Sequence, residues 1–481
     1  MRFEGASLYS LPPRPMKKII LCLISLLAFH SGNSQMRAKT DERFELTSIL
    51  FALAGAPEYC MCPIPSYFQD IVDELAPFDR SAPVEYAREL HQIHRIGYDA
   101  VATTAAMLEI EDGVIRLRPE YDASGIADLD SRWNEELLRK YIRMLNEFYV
   151  LSDFHTFYEE HRPLYEAAEK RMDRVLEQID CGRFESLFGV PLDPEEMSVY
   201  VSLTNGPSNY SVPGGVLIGM SVDREGVPDT APGTDFLLVH EMAHHYTNPI
   251  LDRFEGRMRQ AADAIYPHVA EQMACNAYGS AEVMIGEWFN NLCTLLSLWE
   301  PDTKEMEEQS DNLVRRGFLW MPRSIACMKE FYARRDRYLR IEDFMPQLIA
   351  FLDHTAEHFE EVLLEYEKSL PRIVSVFPAV GSDISGCTEI VITFSETMNG
   401  SYGFSGTGSD DPNVHPLFLI DDFEKAVVWS PDRRQATLKL DPSKARKNTT
   451  YGIQLHTRGF QSARHYSLND AGKNLLFHTG R

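Results

Sequence analysis

The chain has 481 residues, of which 44% are hydrophobic and 25% charged, and its formal net charge is −25 at pH 7. That length exceeds what one hydrophobic core usually supports, so the sequence predicts two or three domains. The balance of apolar and charged residues is typical of a globular protein rather than a disordered one. A surface this acidic repels phosphate backbones, which argues against nucleic acid as a partner.

The first residues have the pattern of a secretory signal peptide. A basic segment begins at Met16, an alternative translation start, and leads into an apolar run from Ile19 to Phe29. The run is shorter than the about 20 apolar residues that a membrane-spanning helix needs. We therefore expect residues 1–34 to be removed as a signal peptide, leaving a secreted or periplasmic protein without a transmembrane segment.

Residues 35–370 are predicted to form one mostly helical domain. Two β-rich runs, Val199–Leu203 and Gly215–Gly219, flank a turn-forming stretch and predict a β-hairpin. Apolar residues recur with helical spacing in five segments: Glu45–Leu53, Trp133–Tyr149, Leu164–Ile179, Ser280–Trp299 and Pro346–Glu367.

After Pro371 the pattern changes to short β-rich runs separated by Gly, Pro, Asn and Asp. Six such runs in about 110 residues predict a β-sandwich of immunoglobulin-like size over residues 371–481. The six runs are Ile373–Phe377, Glu389–Phe394, Ala426–Trp429, Ala436–Leu440, Tyr451–Leu455 and Leu475–His478.

The segment that follows the predicted hairpin contains the pattern H-E-x-x-H, made by His240, Glu241 and His244. Residues i and i+4 project from one face of a helix, so the two imidazoles can bind one tetrahedral Zn²⁺ ion. Glu241 lies beside them and can act as general base toward a zinc-bound water, whose pKa the metal lowers to about 7. The flanking residues are apolar, which predicts a helix buried on most sides, and Pro249 is expected to end it.

A third protein ligand is needed to complete a catalytic zinc site. Position 250 is Ile250, so the pattern with a third histidine ten residues after the first is absent. Glu271, Glu282 and Glu287 are the candidates on later helices. Glu287 is the only charged residue in a narrow polar stripe, and two asparagines one turn further on could orient its carboxylate.

A second pattern, H-x-x-E-H, is formed by His354, Glu357 and His358. The predicted helix there is amphipathic, and both histidines fall on the polar face among acidic residues. We interpret this pattern as a solvated face rather than a catalytic site.

The motif segment also resembles a known family. His240–Pro249 reads H-E-M-A-H-H-Y-T-N-P and is similar to the H-E-x-x-H-(S/H)-x-x-N-P segment of secreted bacterial gluzincin-like metallopeptidases, a family classed as a domain of unknown function. Glu45–Gly55, Gly97–Val101 and Ala277–Gly279 are similar to its members as well, so the resemblance spans roughly residues 41–365. It implies that Glu287 is the third zinc ligand.

Two further points follow from this likeness. A basic residue would be expected about four positions after the ligand glutamate, where this chain has Asn291. The C-terminal segments Phe394–Met398 and Trp429–Asp432 resemble bacterial Ig-like domains, which implies a spacer or adhesion module without catalytic residues.

The combined prediction is an α+β chain in which a zincin-like metallopeptidase domain precedes an Ig-like β-sandwich. Its expected activity is hydrolysis of peptide or protein substrates, with Glu241 as base and His240, His244 and Glu287 as zinc ligands. Tyr278 and His245 are candidate donors to the transition state, and the strand before the site helix could pair with an extended substrate. The alternatives are a catalytically inactive zincin-fold binding or adhesion protein and a zinc amidase that acts on cell-wall peptides.

Overall fold

The protein is described by a computed structural model that covers residues 36–61, 64–192 and 196–480. The chain is mixed α+β, about 51% helical, with several small sheets that include an antiparallel region at the C-terminus. The predicted signal peptide lies outside the described residues. Within the described ranges, none of the helices combines the length and apolar character that a bilayer crossing requires.

The helices alternate with short strands along the first half of the chain and follow one another directly after residue 234. In chain order they are α1 Glu42–Leu53, α2 Pro65–Asp70, α3 Ala82–His94, α4 Asp99–Met107, α5 Ile126–Leu129, α6 Glu135–Leu151, α7 Phe154–Glu160, α8 Arg162–Leu176, α9 Cys181–Phe188, α10 Thr234–Cys275, α11 Ala281–Leu298, α12 Lys304–Arg315, α13 Met321–Ala333, α14 Ile341–Glu357 and α15 Phe359–Ser369.

The strands fall into two groups separated by the long helical region. They are β1 Ala38–Lys39, β2 Leu108–Glu111, β3 Val114–Leu117, β4 Ser198–Ser202, β5 Asn209–Val212, β6 Gly215–Gly219, β7 Ser221–Val222, β8 Pro228–Asp229, β9 Ile373–Phe377, β10 Glu389–Phe394, β11 Val414–Pro416, β12 Val427–Trp429, β13 Gln435–Lys439, β14 Thr450–Gln454 and β15 Asn474–His478.

The chain divides into two compact units. The first comprises Met1–Glu185 with Val190–His245, and the second comprises Ser186–Gly189 with Tyr246–Arg481. Both the later helices and the C-terminal strands belong to the second unit. The predicted boundary between residues 370 and 371 stays a prediction.

The first unit contains a four-stranded mixed sheet in the order β1-β4-β6-β5. Strands β1, β4 and β6 run parallel, and β5 pairs antiparallel with β6 at the end of the sheet. Helices α1 and α4 cover one face, where Phe44 packs against Tyr200 and Leu217. Burial of these apolar side chains holds the helices on the sheet.

The predicted hairpin between β4 and β6 is wrong. The two strands are parallel neighbours, and the antiparallel partner of β6 is β5, which begins at the end of the predicted turn stretch and was not predicted as a strand. The connection from β5 to β6 is Pro213-Gly214, and Gly214 has a φ of +74°. Proline followed by a glycine at positive φ is the combination that a tight turn favours, so the Pro-Gly pair was the signal for this hairpin.

One buried carboxylate accepts hydrogen bonds from several parts of the first unit. Glu45 on α1 is fully buried and accepts hydrogen bonds from Ser202 Oγ (2.7 Å), Leu203 N (2.9 Å), Thr204 Oγ1 (3.1 Å) and Tyr67 Oη (2.9 Å). The Tyr67 hydroxyl lies 2.6 Å from that of Tyr165 on α8. Burial raises the pKa of Glu45, and the four donated hydrogen bonds offset part of that rise.

The long helix α10 continues through Pro249 and Pro267, so the predicted helix end at Pro249 is wrong. A proline inside a helix removes one backbone hydrogen bond and costs roughly 3 kcal/mol. The compensation comes from an apolar stripe beyond the proline. Its buried members recur at helical spacing: Met258, Ala261, Ala262, Ile265, Val269 and Met273.

The predicted helices were otherwise found in place, with one interruption. The segment Pro346–Glu367 was expected to be one helix but forms the two helices α14 and α15, which meet at His358. His358 has φ −119° and ψ 28°, outside the helical region, which ends the hydrogen-bond ladder of α14.

All six predicted C-terminal strands are confirmed. They form a four-stranded antiparallel sheet, β12-β13-β10-β9, and contribute β14 and β15 to a three-stranded sheet, β11-β14-β15. Alternate residues such as Ile390, Ile392 and Phe394 point into a shared apolar core. The three-residue strand β11 was missed because it contains histidine and proline and is too short to show alternation.

The segment between β14 and β15 contacts a helix of the second unit. Asp311 on α12 accepts hydrogen bonds from both Nε and Nη2 of Arg464, the first at 2.6 Å, and from the hydroxyl of Tyr466 at 2.9 Å. This bidentate pairing is the geometry in which an arginine–carboxylate contact is strongest.

We expect replacement of Glu45 by glutamine to change the pH dependence of stability. Glu45 has a pKa raised by burial, so its contribution to the free energy of unfolding is fully present below the unfolded pKa and is lost as pH rises through the folded pKa. Relative to Glu45→Gln, wild type should therefore lose stability above about pH 4.5, with a slope of at most about 1.4 kcal/mol per pH unit.

Denaturant unfolding of both proteins from pH 4 to 8 measures this difference. Glu85→Gln on α3, at an exposed position, is the control. A flat difference for Glu45→Gln would contradict the raised pKa.

Candidate metal centre

The first turns of α10 place the H-E-x-x-H residues on one half-buried face. The helix begins at Thr234, whose Oγ1 donates to the carbonyl of Ala231 at 2.7 Å. Leu238, Val239, Met242 and Ala243 are completely buried, whereas all three motif residues are half-buried. One side of the helix is therefore fixed by packing while the motif side keeps access to solvent.

The two histidines of the motif are close neighbours. The ring centroids of His240 and His244 lie 4.9 Å apart with perpendicular planes, as the i, i+4 spacing predicts. Phe236 lies one turn before His240, its ring nearly parallel at 6.2 Å. This packing restricts the orientation of the first imidazole.

Glu287 on α11 is the carboxylate that completes a group of three possible metal ligands with the two histidines. His240, His244 and Glu287 each offer one possible ligand atom, and these atoms all lie within 4.8 Å of one another. Glu271 and Glu282, the other two candidates, are exposed and do not belong to this group. Burial raises the pKa of Glu255, and the negative charge of the nearby Glu282 raises it further.

Glu287 lies near a tyrosine that is itself held by an arginine. The charge of Glu287 acts on the phenol of Tyr278, whose hydroxyl accepts a hydrogen bond from Arg316 Nη2 at 3.1 Å. Burial raises the pKa of Tyr278, and the negative charge of Glu287 raises it further. The phenol therefore stays protonated and remains a donor.

Arg316 is fixed by the loop that carries Tyr278. Its Nε donates to Asn276 Oδ1 at 3.1 Å, and its carbonyl accepts from the side-chain amide of the same asparagine at 2.8 Å. Tyr266 on α10 donates to the carbonyl of Tyr278 at 3.3 Å. These contacts leave the Tyr278 side chain little freedom to move away from Glu287.

The two asparagines after Glu287 contact neighbouring residues of the site. Asn291 donates its amide to the backbone carbonyl of Glu287 at 2.7 Å, one turn back, and Asn290 Oδ1 accepts from Thr247 Oγ1 at 2.7 Å. The orienting role predicted for them toward the Glu287 carboxylate stays a prediction.

His245 anchors the motif helix to the sheet. Its Nε2 lies 2.8 Å from the carbonyl of Gly215 in β6, and because a carbonyl can only accept, Nε2 carries the hydrogen. Burial lowers the pKa of His245, which favours the neutral ring. This contact directs the donor at the strand rather than at a substrate, in contrast to the role considered for His245 from the sequence.

The second pattern forms a cluster of its own. His354, Glu357 and His358 also offer ligand atoms within 4.8 Å of one another, and all three side chains are exposed. The expectation of a solvated face agrees with this exposure.

We expect Tyr278→Phe to weaken zinc binding by about 10- to 100-fold, because partners of a metal ligand fix its orientation and basicity. Tyr338→Phe is the matched control: this buried phenol has no hydrogen-bond partner among the described residues. Competition for zinc with a chromophoric chelator measures the affinity, and circular dichroism checks the fold. Equal zinc affinity in wild type and Tyr278→Phe would show that Glu287 does not need the phenol.

Sequence reasoning missed Arg316 because it lies 38 residues after Tyr278, and no local pattern marks a partner at that separation. The structure therefore adds Arg316 to the residues around the candidate metal centre, through its hydrogen bond to Tyr278.

Comparison of the chain with protein-family models, curated proteins and solved structures gave no match.

Proposed function

We propose that the chain is a zinc-dependent peptidase whose metal ligands are His240, His244 and Glu287. The observation that carries the proposal is the convergence of two imidazoles and one carboxylate, with a second carboxylate, Glu241, next to the first histidine on the same helix. We further propose a zincin-like fold around this site, an Ig-like fold for the C-terminal strands, and membership of the secreted gluzincin-like family that the motif resembles.

The donor set fits zinc. Two histidines and a glutamate are the ligands of catalytic zinc sites in peptidases, and three protein ligands leave one coordination position for water or substrate. When bound, the ion would supply a Lewis acid that polarises a carbonyl group and acidifies water.

Glu241 is the proposed general base. Its carboxylate projects from the same turn as His240 and is half-buried, so it can accept a proton from a water held near the two histidines. The completely buried Met242 and Ala243 fix the helix on the opposite side. Glu241 therefore acts from a rigid element, which favours proton transfer because little reorganisation is required.

The first unit offers a place for a peptide beside these residues. A cavity of about 370 Å³ is lined by both strands of the β5–β6 hairpin and by the start of α10, and its lining includes Ile218, Met220 and Leu237. Leu237 precedes His240 by three residues and Glu241 by four, so it lies on the same helical face. An apolar side chain in the cavity would therefore lie one helical turn from the proposed base.

Strand β5 is the element that would align the backbone of such a substrate. It lies at the end of its sheet and pairs only with β6 among the described strands. An extended peptide could add to this edge through main-chain hydrogen bonds, with alternate side chains facing the cavity. Asn209, the first residue of β5, is part of the cavity lining.

Glu241→Gln should abolish hydrolysis while leaving zinc and fold unchanged. The substitution keeps the size of the side chain but removes the base, which typically contributes about 10²- to 10⁴-fold in rate. Because Glu241 is not a proposed ligand, its zinc content should equal that of wild type, whereas His244→Ala should lose the equivalent bound by His240, His244 and Glu287. Cleavage of a mixed peptide library, followed by mass spectrometry, and elemental analysis give the two readouts.

The matched control is Glu271→Gln, an exposed carboxylate outside the ligand group, which should cleave like wild type. If Glu241→Gln cleaves as fast as wild type, Glu241 is not the base. If wild type and Glu241→Gln both hold zinc and neither cleaves any peptide, the alternative of a catalytically inactive binding protein becomes the better explanation.

Leu237→Ala should change side-chain preference without changing zinc content. Losing part of an apolar contact surface costs about 1–3 kcal/mol, so kcat/KM should fall about 10- to 100-fold for peptides with a large apolar residue next to the cleaved bond. Peptides with a small residue there should be much less affected. Val227→Ala, at an exposed position outside the cavity, is the control. A uniform loss across all peptides would argue against the cavity as a side-chain pocket.

A further inference from the structure

The joint between α14 and α15 brings together a second set of metal-ligand side chains. His354 and Glu357 lie in the last turn of α14, and His358 is the residue between the two helices. The ring centroids of the two histidines are 4.2 Å apart, and one possible ligand atom from each of the three residues lies within 4.8 Å of the others. All three side chains are exposed, so an ion can reach them from solvent.

The hydrogen bond of His358 leaves one ring nitrogen ready for a metal. Its Nδ1 lies 2.9 Å from the backbone carbonyl of His354. A carbonyl cannot donate, so Nδ1 must carry the hydrogen, and in the neutral ring Nε2 then holds the lone pair. Donation of the other ring N–H to a backbone carbonyl is the usual support of a metal-binding histidine.

The local charge also favours a cation. Residues 353–361 include the acidic side chains of Asp353, Glu357, Glu360 and Glu361 and no lysine or arginine. Among the described residues, Arg323 lies 3.7 Å from Glu361 and also pairs with Glu365. The negative potential at this helix end therefore attracts divalent ions.

We infer that His354, Glu357 and His358 form a second metal site that binds a late first-row divalent cation such as Zn²⁺ or Cu²⁺. Two imidazoles and one carboxylate are suited to these ions, and the remaining positions are open to water. Two of the ligands lie in the last turn of α14, and the third, His358, is the residue between α14 and α15. A bound ion therefore links the last turn of α14 to His358 and stabilises this joint.

The site is measured most clearly in protein that lacks the proposed catalytic ligand His244. We expect His244→Ala to retain about one equivalent of zinc, bound more weakly than that of wild type because the ligands are exposed. Adding His358→Ala should remove it. Adding His456→Ala, at an exposed histidine outside both ligand groups, should leave it in place. Equilibrium dialysis with Zn²⁺ gives the stoichiometry.

Two further measurements test the second site in case His244→Ala does not fold. In otherwise wild-type protein, His358→Ala should lower the zinc content from about two equivalents to one and keep any peptidase activity. Electron paramagnetic resonance of Cu²⁺ bound to His244→Ala should show two nitrogen ligands, and fewer after His358→Ala.

Failure of this site and failure of the proposed function are distinguishable. If His244→Ala binds no stoichiometric zinc, or if its zinc is unaffected by His358→Ala, the second site is overturned whatever the first site does. If the second equivalent behaves as expected and the first is absent, the peptidase proposal fails and the second site stands.

Discussion

The buried carboxylate of Glu45 is the contact on which the first unit depends most. It lies on α1 and receives hydrogen bonds from the segment Ser202–Thr204, which leaves the end of β4, and from Tyr67 on α2. A carboxylate without these donors would be costly to bury, and the hydroxyl donors would lose their partner if it were absent. Glu45 therefore determines where the chain leaves β4 and turns toward β5.

The position of the motif helix follows from that constraint. Strand β6 is paired with both β4 and β5, and its first residue, Gly215, accepts the hydrogen bond from His245. A side chain at position 215 would collide with the backbone of Ser198, since a Cβ built there lies 2.2 Å from its carbonyl oxygen. The close pairing of β4 and β6 thus depends on a glycine, and the histidine next to His244 is anchored at the same point.

The sequence predicted the features that repeat over short distances. The six C-terminal strands follow from alternation and turn residues, and the closeness of His240 and His244 follows from the i, i+4 geometry of a helix. The errors arose where a distant contact outweighs a local signal. Helix α10 passes Pro249 because its apolar stripe is buried on both sides of the proline, and Arg316 reaches Tyr278 across 38 residues.

The pairing order of β4, β5 and β6 was also beyond local reasoning. Alternation identifies a strand, but it does not say which neighbour the strand takes, and β5 is a four-residue strand with three partly exposed positions. Glu287 could be proposed because it is the only charge in a polar stripe. Tyr278 was named from the sequence as a candidate donor, but its place near Glu287 and its contact with Arg316 required the position of the loop before α11.

Strand β5 has a consequence for the behaviour of the protein in concentrated solution. An open sheet edge invites other chains to pair with it, and proteins commonly limit this risk by keeping edge strands short or by placing proline there. Here Pro207 and Pro213 stand on either side of the four residues Asn209–Val212, and neither prolyl nitrogen can donate a hydrogen bond. The edge is long enough for a short extended peptide, yet too short to template association between whole sheets.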